Sequence, residues 1–345
     1  MNPTPPAGFR NPRAQYDFKG RTCSITGVGS YLPQRVLTNA ELEKMVDTTD
    51  EWITTRTGIR ERHLAAADES TSDLACQAAR RALEMAGVTP EQVDLIIVAT
   101  ITPDMPFPAT ACLIQHRLGA RRAAAFDLEA ACSGFIYGLE IGQQFIMSRT
   151  YDTVLVIGAE KLSTITDWRD RNTCVLFGDG AGAAVLQNRP HSHGLLTVCM
   201  GADGAKAGLL SMPGGGSRCP ATAESVAAGK HFLRMEGKET FKNAVQAMCT
   251  AAEESLRRCE IDIARVACII PHQANRRIIE AVRERLGATP EQMFVNLDRC
   301  GNTSAASVAI ALDEAVRCGR IRRGDLILLV VFGAGLTWGA AMIEW

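Results

Sequence analysis

Neither sign of charge dominates this chain: 37 lysines and arginines stand against 38 aspartates and glutamates, a net charge of −1 at pH 7. That balance excludes a polybasic nucleic-acid binder and a highly charged disordered chain. An uninterrupted membrane span is missing as well. The longest uncharged run, Leu326 to Ile343, is divided by Gly333, Gly335 and Gly339 and closed by Asp325 and Glu344, so it reads as two buried strands joined by a glycine turn. The 12 cysteines include no two within four residues of each other, which removes CxxC zinc and thioredoxin-like pairs. No apolar secretory segment opens the chain, so a reducing cytoplasm is expected, with most thiols acting as small core hydrophobes. Gly27-Val28-Gly29 lacks a third glycine, Gly178-Asp179-Gly180-Ala181-Gly182 is not spaced as GxGxxG, and neither is a Walker A loop; a Rossmann dehydrogenase or a P-loop enzyme is disfavoured. His191 and His193 have no third ligand nearby and read as surface residues, so no metal site is expected.

What remains is a globular chain of 345 residues, 46% hydrophobic, which at about 150 residues per domain is two domains or one large core built as two halves. Met1 to Gly20, with Pro3, Pro5, Pro6 and Pro12, reads as an extended or disordered tail. From Thr22 onward strand-like runs alternate with helical patterns: Cys23 to Val28, Asp73 to Ala86, Leu95 to Ile101, Ala109 to Leu118. Such alternation predicts an α/β fold with mixed or parallel sheets under covering helices. At an offset of 169 residues (295 − 126), Phe126-Asp127-Leu128 falls over Val295-Asn296-Leu297. Each copy carries a strand (Leu95 to Ile101; Ala267 to Pro271), a helix (Ala109 to Leu118; Asn275 to Leu286), a short strand, a loop of small residues (Glu129 to Gly134; Asp298 to Ser304), a second helix and a final apolar strand (Val154 to Ile157; Leu326 to Val331). The expected halves are residues 21–190 and 191–345. Packing them would bring equivalent loops together at a shared site, although duplication alone also accounts for the repeat. Gly201 to Lys230, with Gly214-Gly215-Gly216, reads as a long loop that either covers a site or is a tolerated insertion.

Three residues in these loops carry chemistry. Cys132, in Asp127-Leu128-Glu129-Ala130-Ala131-Cys132-Ser133-Gly134-Phe135, is placed at a helix N-terminus, where unpaired N–H groups and the helix dipole favour a thiolate. Core packing is the competing reading. His272, in Pro271-His272-Gln273-Ala274-Asn275, sits where a strand ends and a helix begins, a setting for a catalytic group or for a structural histidine. Asn302, in Gly301-Asn302-Thr303-Ser304-Ala305-Ala306-Ser307, occupies the counterpart of the Cys132 loop, so the repeat sets a carboxamide against a thiol. The small residues of Phe332-Gly333-Ala334-Gly335-Leu336-Thr337-Trp338-Gly339 suit either backbone N–H groups approaching an oxyanion or a plain turn.

These segments, with Gly29-Ser30-Tyr31-Leu32-Pro33, Asp50-Glu51-Trp52-Ile53 and Arg56-Thr57-Gly58-Ile59-Arg60, resemble the thiolase-like condensing enzymes, most closely the β-ketoacyl-acyl-carrier-protein synthase III family. The resemblance runs from about Thr22 to Trp345 and leaves out only the tail. It implies a five-layered αβαβα thiolase fold of two duplicated halves with mixed sheets, and Cys132 as acylated nucleophile completed by His272 and Asn302. An acyl group passes from its CoA thioester to Cys132; a malonyl thioester then loses carbon dioxide, and its enolate attacks the acyl-cysteine. A degradative thiolase carries a second cysteine near its C-terminus, absent from Phe332 to Gly339, and an elongating synthase carries a histidine where Asn302 stands. Plant-type polyketide synthases share Cys, His and Asn.

The same resemblance implies an oxyanion hole of the Cys132 and Ala334 N–H groups, with Ala334 departing from a common glycine. It implies Trp52 and Arg171 around the CoA adenine, with Thr48, Arg56, Gly237, Phe241 and Asn275 along the pantetheine tunnel. Leu162, Phe177 and Leu209 would form the acyl pocket, closed by Phe107 of a partner subunit, which favours short primers such as acetyl. Lys242, Arg276, Arg277, Arg283 and Arg285 would dock an acidic carrier protein. A cytoplasmic homodimer follows, using acyl-CoA and malonyl-acyl carrier protein, with no cofactor and no nucleic-acid or membrane partner. A specialised relative that primes a polyketide or passes an unusual acyl group to another nucleophile is the enzymatic rival; a silent carrier-binding dimer is the rival that the intact triad opposes.

Overall fold

The computed structural model describes residues 21–189 and 194–345. The expectations for residues 1–20, for His191 and His193, and for a boundary between 190 and 191 lie outside the described residues.

In chain order, β1 (Cys23–Tyr31) precedes a two-stranded ribbon, β2 (Arg35–Thr38) with β3 (Glu61–Leu64), and then β4 (Leu95–Ala99), β5 (Ala124–Leu128), β6 (Thr153–Glu160) and β7 (Gly180–Asn188). There follow β8 (Leu195–Ala202), a second ribbon, β9 (Leu210–Ser211) with β10 (Arg234–Met235), and finally β11 (Cys268–Pro271), β12 (Leu326–Gly333) and β13 (Thr337–Glu344). One sheet runs β1-β7-β6-β4-β5 and the other β8-β13-β12-β11. The same plan is thus built twice, parallel at β4 with β6 and at β11 with β12, antiparallel at β6 with β7 and at β12 with β13. The uncharged run near the C-terminus is the β12–β13 hairpin. β4 and β6 are buried at every position, which is why they read as unbroken apolar runs: helices cover both faces of the sheet.

Helices Gly134–Met147 and Ala306–Arg317 lie between the sheets, and their Phe135, Leu139, Val308 and Leu312 share one core with Ile97 and Ile270. Helices Thr71–Ala86 and Thr110–Leu118 cover the outside of the first sheet; Gly237–Cys259 and Arg276–Leu286 cover the second. The layers therefore run αβαβα. Gly27 and Gly29 seat a helix: a Cβ on them would fall 2.3 Å from Ala82 O and 2.4 Å from Ala78 O, so helix Thr71–Ala86 rests on bare backbone. Asp179 in the second glycine run is buried, accepting from Ala65 N (2.8 Å), Ser163 N (2.9 Å) and Ser163 Oγ (2.6 Å). It ties the β2–β3 ribbon to the first sheet.

Two expectations need correction. The short strand at Val295-Asn296-Leu297 does not form; its place is marked by a single bridge between Ile269 and Met293. The backbone N–H groups of Asn296 and Leu297 donate instead to Gln273 Oε1 at 3.0 and 3.2 Å, so a side-chain carbonyl takes bonds that a strand would have used. Residues 201–230 are also not one loop, since they hold the end of β8, a 3₁₀ segment Gly204–Leu209, β9 and a short helix, Ala223–Ala227.

Candidate active site

A cavity of about 780 Å³ opens where the two central helices begin, and Cys132, His272 and Asn302 all line it. Cys132 follows β5 on a 3₁₀ turn, Ala131–Ser133, that runs into helix Gly134–Met147, and His272 follows the last residue of β11. Ala131 is held at φ +45°, a conformation that costs an alanine free energy and is stored here beside the thiol. Gly333, at the end of β12, must be bare: a Cβ there would sit 2.7 Å from Cys132 N.

Cys132 is only 8% exposed, and burial pushes its thiol up to about 12, with the Ser304 side chain opposing and the Glu160 carboxyl adding to the rise. Burial thus opposes the thiolate that a helix N-terminus favours. His272 is 3% exposed and burial lowers it to about 3, so its imidazole is neutral. Its Nδ1 lies 2.6 Å from Ser307 Oγ; with that hydroxyl donating, the ring proton is on Nε2. The Asn302 amide is oriented by Ser304 N, which donates to Oδ1 at 2.9 Å. That leaves its NH₂ as a donor. Asn302 itself is fixed by backbone bonds on both sides, Asn302 N to Leu176 O (2.8 Å) and Gly178 N to Asn302 O (3.1 Å).

Ala334 also lines the cavity. Positive φ falls on Gly335, at +130°, and not on Ala334, so the alanine is unstrained and keeps its N–H. Thr337 Oγ1 joins this turn to the cysteine loop, lying 3.0 Å from both Ala130 O and Ala334 O.

Of the other residues singled out in the sequence, Trp52, Arg56, Gly237, Phe241, Asn275, Arg277, Leu162 and Phe177 line the same cavity. Arg171 does not, but its guanidinium stands 5.1 Å from the Trp52 ring centre. That gap is narrower than the about 7 Å that a base stacked between two groups needs, and Arg171 bonds Asp47 O at 2.7 Å. Thr48 is outside the lining. Leu209 is a correction: it packs into the apolar cluster under the second sheet, and Leu210, Ser211 and Met212 supply the cavity wall in its place. Phe107 is 84% exposed and away from its own chain's cavity. Lys242, Arg276, Arg277 and Arg285 are exposed. Arg283 is a second correction, because it is drawn into its own helix by Glu280 (2.8 Å), Glu284 (3.4 Å) and Ala288 O (3.2 Å). Sequence reasoning missed Glu160, a fully buried carboxyl at the end of β6.

The family model described as 3-oxoacyl-[acyl-carrier-protein (ACP)] synthase III matches residues 126–204, and its C-terminal companion matches 256–345. A curated relative from Caldanaerobacter subterraneus subsp. tengcongensis, named β-ketoacyl-[acyl-carrier-protein] synthase III, is 59% identical over 93% of this chain and 97% of its own. The chain belongs to the β-ketoacyl-[acyl-carrier-protein] synthase III family. Its fold agrees with the crystal structure of the synthase III from Aquifex aeolicus VF5, at a TM-score of 0.87 and 49% identity over 94% of this chain and 100% of that one. The priming β-ketosynthase from the R1128 polyketide biosynthetic pathway also has a TM-score of 0.87, at 38% identity over 97% of this chain and 98% of its own. As in these synthase III relatives, the fold is the thiolase fold. Among the described residues, no helix is long and apolar enough to cross a membrane and no group of three or more His, Cys, Asp or Glu is arranged to hold a metal.

Proposed function

We propose that this protein is a priming condensing enzyme: it takes an acyl group from CoA onto Cys132 and condenses it with malonyl-acyl carrier protein, releasing CoA and carbon dioxide and giving a 3-oxoacyl-acyl carrier protein that starts type II fatty-acid synthesis. The observation that carries this reading is the pairing of one thiol with two neutral donors in one buried cavity. Loss of carbon dioxide generates the enolate without a strong base. What the site must supply is hydrogen bonds to the thioester oxygen, and His272 Nε2–H with the Asn302 amide supplies them. The Cys132 and Ala334 N–H groups serve the acyl oxygen in the same way. Halves 21–190 and 191–345 then contribute the thiol and the donors respectively. No metal or prosthetic group is required; CoA is a substrate. The setting is a cytoplasmic homodimer.

Intact-protein mass spectrometry after exposure to a panel of acyl-CoAs tests the reading directly. A mass gain on Cys132 with short primers is expected; no gain with any of them would end it. The 38% identity to a polyketide-priming ketosynthase favours a second reading, in which the enzyme primes a polyketide or transfers an unusual acyl group. The same panel separates the two.

Two further results are expected. Trp52→Ala removes the ring that Arg171 and Arg56 face at 5.1 and 4.8 Å, and KM for acyl-CoA should rise about tenfold, worth about 1.4 kcal/mol. Decarboxylation of the malonyl carrier should be unchanged. An unaltered KM would take the adenine away from Trp52. In the dimer, the exposed Phe107 ring is assigned to the end of the partner's acyl pocket, and Phe107→Ala opens that space. Each added methylene that finds it gains about 0.8 kcal/mol, so hexanoyl-CoA should gain on acetyl-CoA in kcat/KM. If the ranking of acetyl, butyryl and hexanoyl primers stays as in the wild type, primer length is set by Leu162 and Phe177 instead.

A further inference from the structure

His272 and Asn302 can serve as donors only if each offers a nitrogen that carries a proton, and one short stretch of chain controls both. Ser304 N donates to Asn302 Oδ1 at 2.9 Å, which leaves the amide NH₂ free to donate. Three residues on, Ser307 Oγ lies 2.6 Å from His272 Nδ1, and both side chains are buried. Among the described residues, neither atom has another hydrogen-bond partner. That exclusivity fixes the direction of the bond. A hydroxyl accepting from an Nδ1–H would leave its own proton buried with no acceptor, and an unmade bond in the interior carries the desolvation cost of the whole group. A hydroxyl donating to Nδ1 strands no proton. The ring proton is then on Nε2, the nitrogen left for the cavity that His272 lines.

The duplicated architecture shows that the fold itself does not need this hydroxyl. β4 begins at Leu95 and β11 at Cys268, and the two residues of positive φ that precede the central helices are Ala131 (+45°) and Ser304 (+48°). Both pairs keep one spacing of 173 residues (268 − 95; 304 − 131). The same spacing makes Gly134 the counterpart of Ser307, and Ala99 the counterpart of His272. In the first half that pair also meets: a Cβ on Gly134 would lie 2.8 Å from Ala99 Cβ. Strand end and helix start therefore pack there with no polar group between them. In the second half the same contact is an imidazole held by a hydroxyl. A buried hydrogen bond, placed where the repeat closes with glycine and alanine, serves the donor site and not the packing. Ser307 also stands second in helix Ala306–Arg317, whose positive end disfavours a charged ring nearby.

We infer that Ser307 is the positioning residue of His272: its hydroxyl fixes the Nε2–H tautomer and the orientation of the ring, so that Nε2–H and the Asn302 NH₂ serve one substrate oxygen. This deepens the proposed function and rests on it. When the malonyl carboxylate leaves as carbon dioxide, the electron pair of the broken C–C bond passes into the enolate, and charge grows on the thioester oxygen. A nitrogen that carries its proton stabilises that charge, whereas the other tautomer would present a lone pair and repel it. No proton leaves or joins His272 in this step. Ser307 is not in the lining of the cavity, so it acts through the ring alone. Acylation of Cys132 does not draw on it.

The test pairs a spectrum with two rates. In protein carrying nitrogen-15-labelled histidine, protonated and bare ring nitrogens give well-separated shifts, and His272 is assigned among the six histidines by the signals missing from His272→Ala. Wild type should show the proton on Nε2, with Nδ1 bare and hydrogen-bonded. Ser307→Ala, which keeps a strong helix former in the first turn, should lose the hydrogen-bonded Nδ1 signature. Its carbon dioxide release from malonyl-acyl carrier protein should fall about thirtyfold in kcat with KM unchanged, while acetyl transfer to Cys132 stays within about threefold. Ser307→Thr returns the hydroxyl and should bring release back close to the wild-type rate. A wild-type His272 protonated on Nδ1 would overturn the inference. So would wild-type release in Ser307→Ala, an equal fall in release and acetyl transfer, or a folded Ser307→Thr as slow as the alanine variant. If Ser307→Thr does not fold, the ring shifts and the two rates of Ser307→Ala decide. A wild type with its proton on Nε2 that releases no carbon dioxide would overturn the proposed function but not the tautomer that Ser307 sets.

Discussion

Cys132→Ala should accept no acyl group from any CoA thioester and should form no condensation product. The argument is one of elimination as well as position. Cys132 is the one cysteine in the lining of the cavity; the others are buried elsewhere, partly buried away from it, or exposed. Burial raises Cys23, Cys76, Cys174, Cys199, Cys249, Cys268 and Cys300, and none of these seven lines the cavity. None can substitute for the lost sulfur. Alanine at the same φ and ψ loses one heavy atom facing a cavity, so the unfolding temperature should move by only a few degrees. Incubation with acetyl-CoA and intact-protein mass spectrometry decides the matter, and covalent acyl label on the variant would refute the assignment.

His272→Ala and Asn302→Ala should separate the two half-reactions. On the proposed function each removes one donor from the thioester oxygen of the malonyl group, and loss of a preorganised donor in a water-poor site costs about a hundredfold or more. Carbon dioxide release should fall by that factor in either variant. Transfer of acetyl to Cys132 should persist, because neither side chain is assigned to the thiol proton. The pH profile adds a second check. A histidine lowered to about 3 by burial is neutral at every pH above about 4, so decarboxylation should show no loss as pH rises through the ordinary histidine range near 6.5. Decarboxylation at the wild-type rate in both variants, or a profile that drops through that range, would show that neutral donors are not what drives this step.

Much of this architecture is legible in the amino-acid sequence alone. Strands covered on both faces are mostly apolar, so β4, Val154 to Ile157 of β6 and β12 stand out as runs, and a duplicated order of elements implies duplicated sheets. The missing fifth strand of the second sheet is not legible, because it depends on Gln273 reaching across from another loop to take the N–H groups of Asn296 and Leu297. Cys132, His272 and Asn302 are readable because each stands in a long, distinctive segment. Glu160 and Ser304 are not. A glutamate just past an apolar run looks like a strand end turning to solvent, and a serine near a helix start looks like a cap. Only the fold reveals that both face inward. Arg62 is hidden in the same way: a guanidinium with no exposure, bonded to Leu37 O (3.0 Å), Asn39 Oδ1 (2.9 Å) and Val175 O (2.8 Å), braces the β2–β3 ribbon where a sequence would place a surface charge. Leu209 and Arg283 escape for a finer reason, since neighbouring positions decide whether a side chain meets the cavity or the core.

The protonated state of Cys132 has a bearing on how the protein ages. Peroxides attack thiolates, and conversion of cysteine to sulfenic and then sulfinic acid tracks both ionisation and exposure. A thiol raised to about 12 and 8% exposed offers an oxidant little of either. Cys112 and Cys318, on the outside of the molecule, stand where an oxidant arrives first. On the proposed function, oxidants should therefore reach Cys112 and Cys318 before the sulfur that is to be acylated.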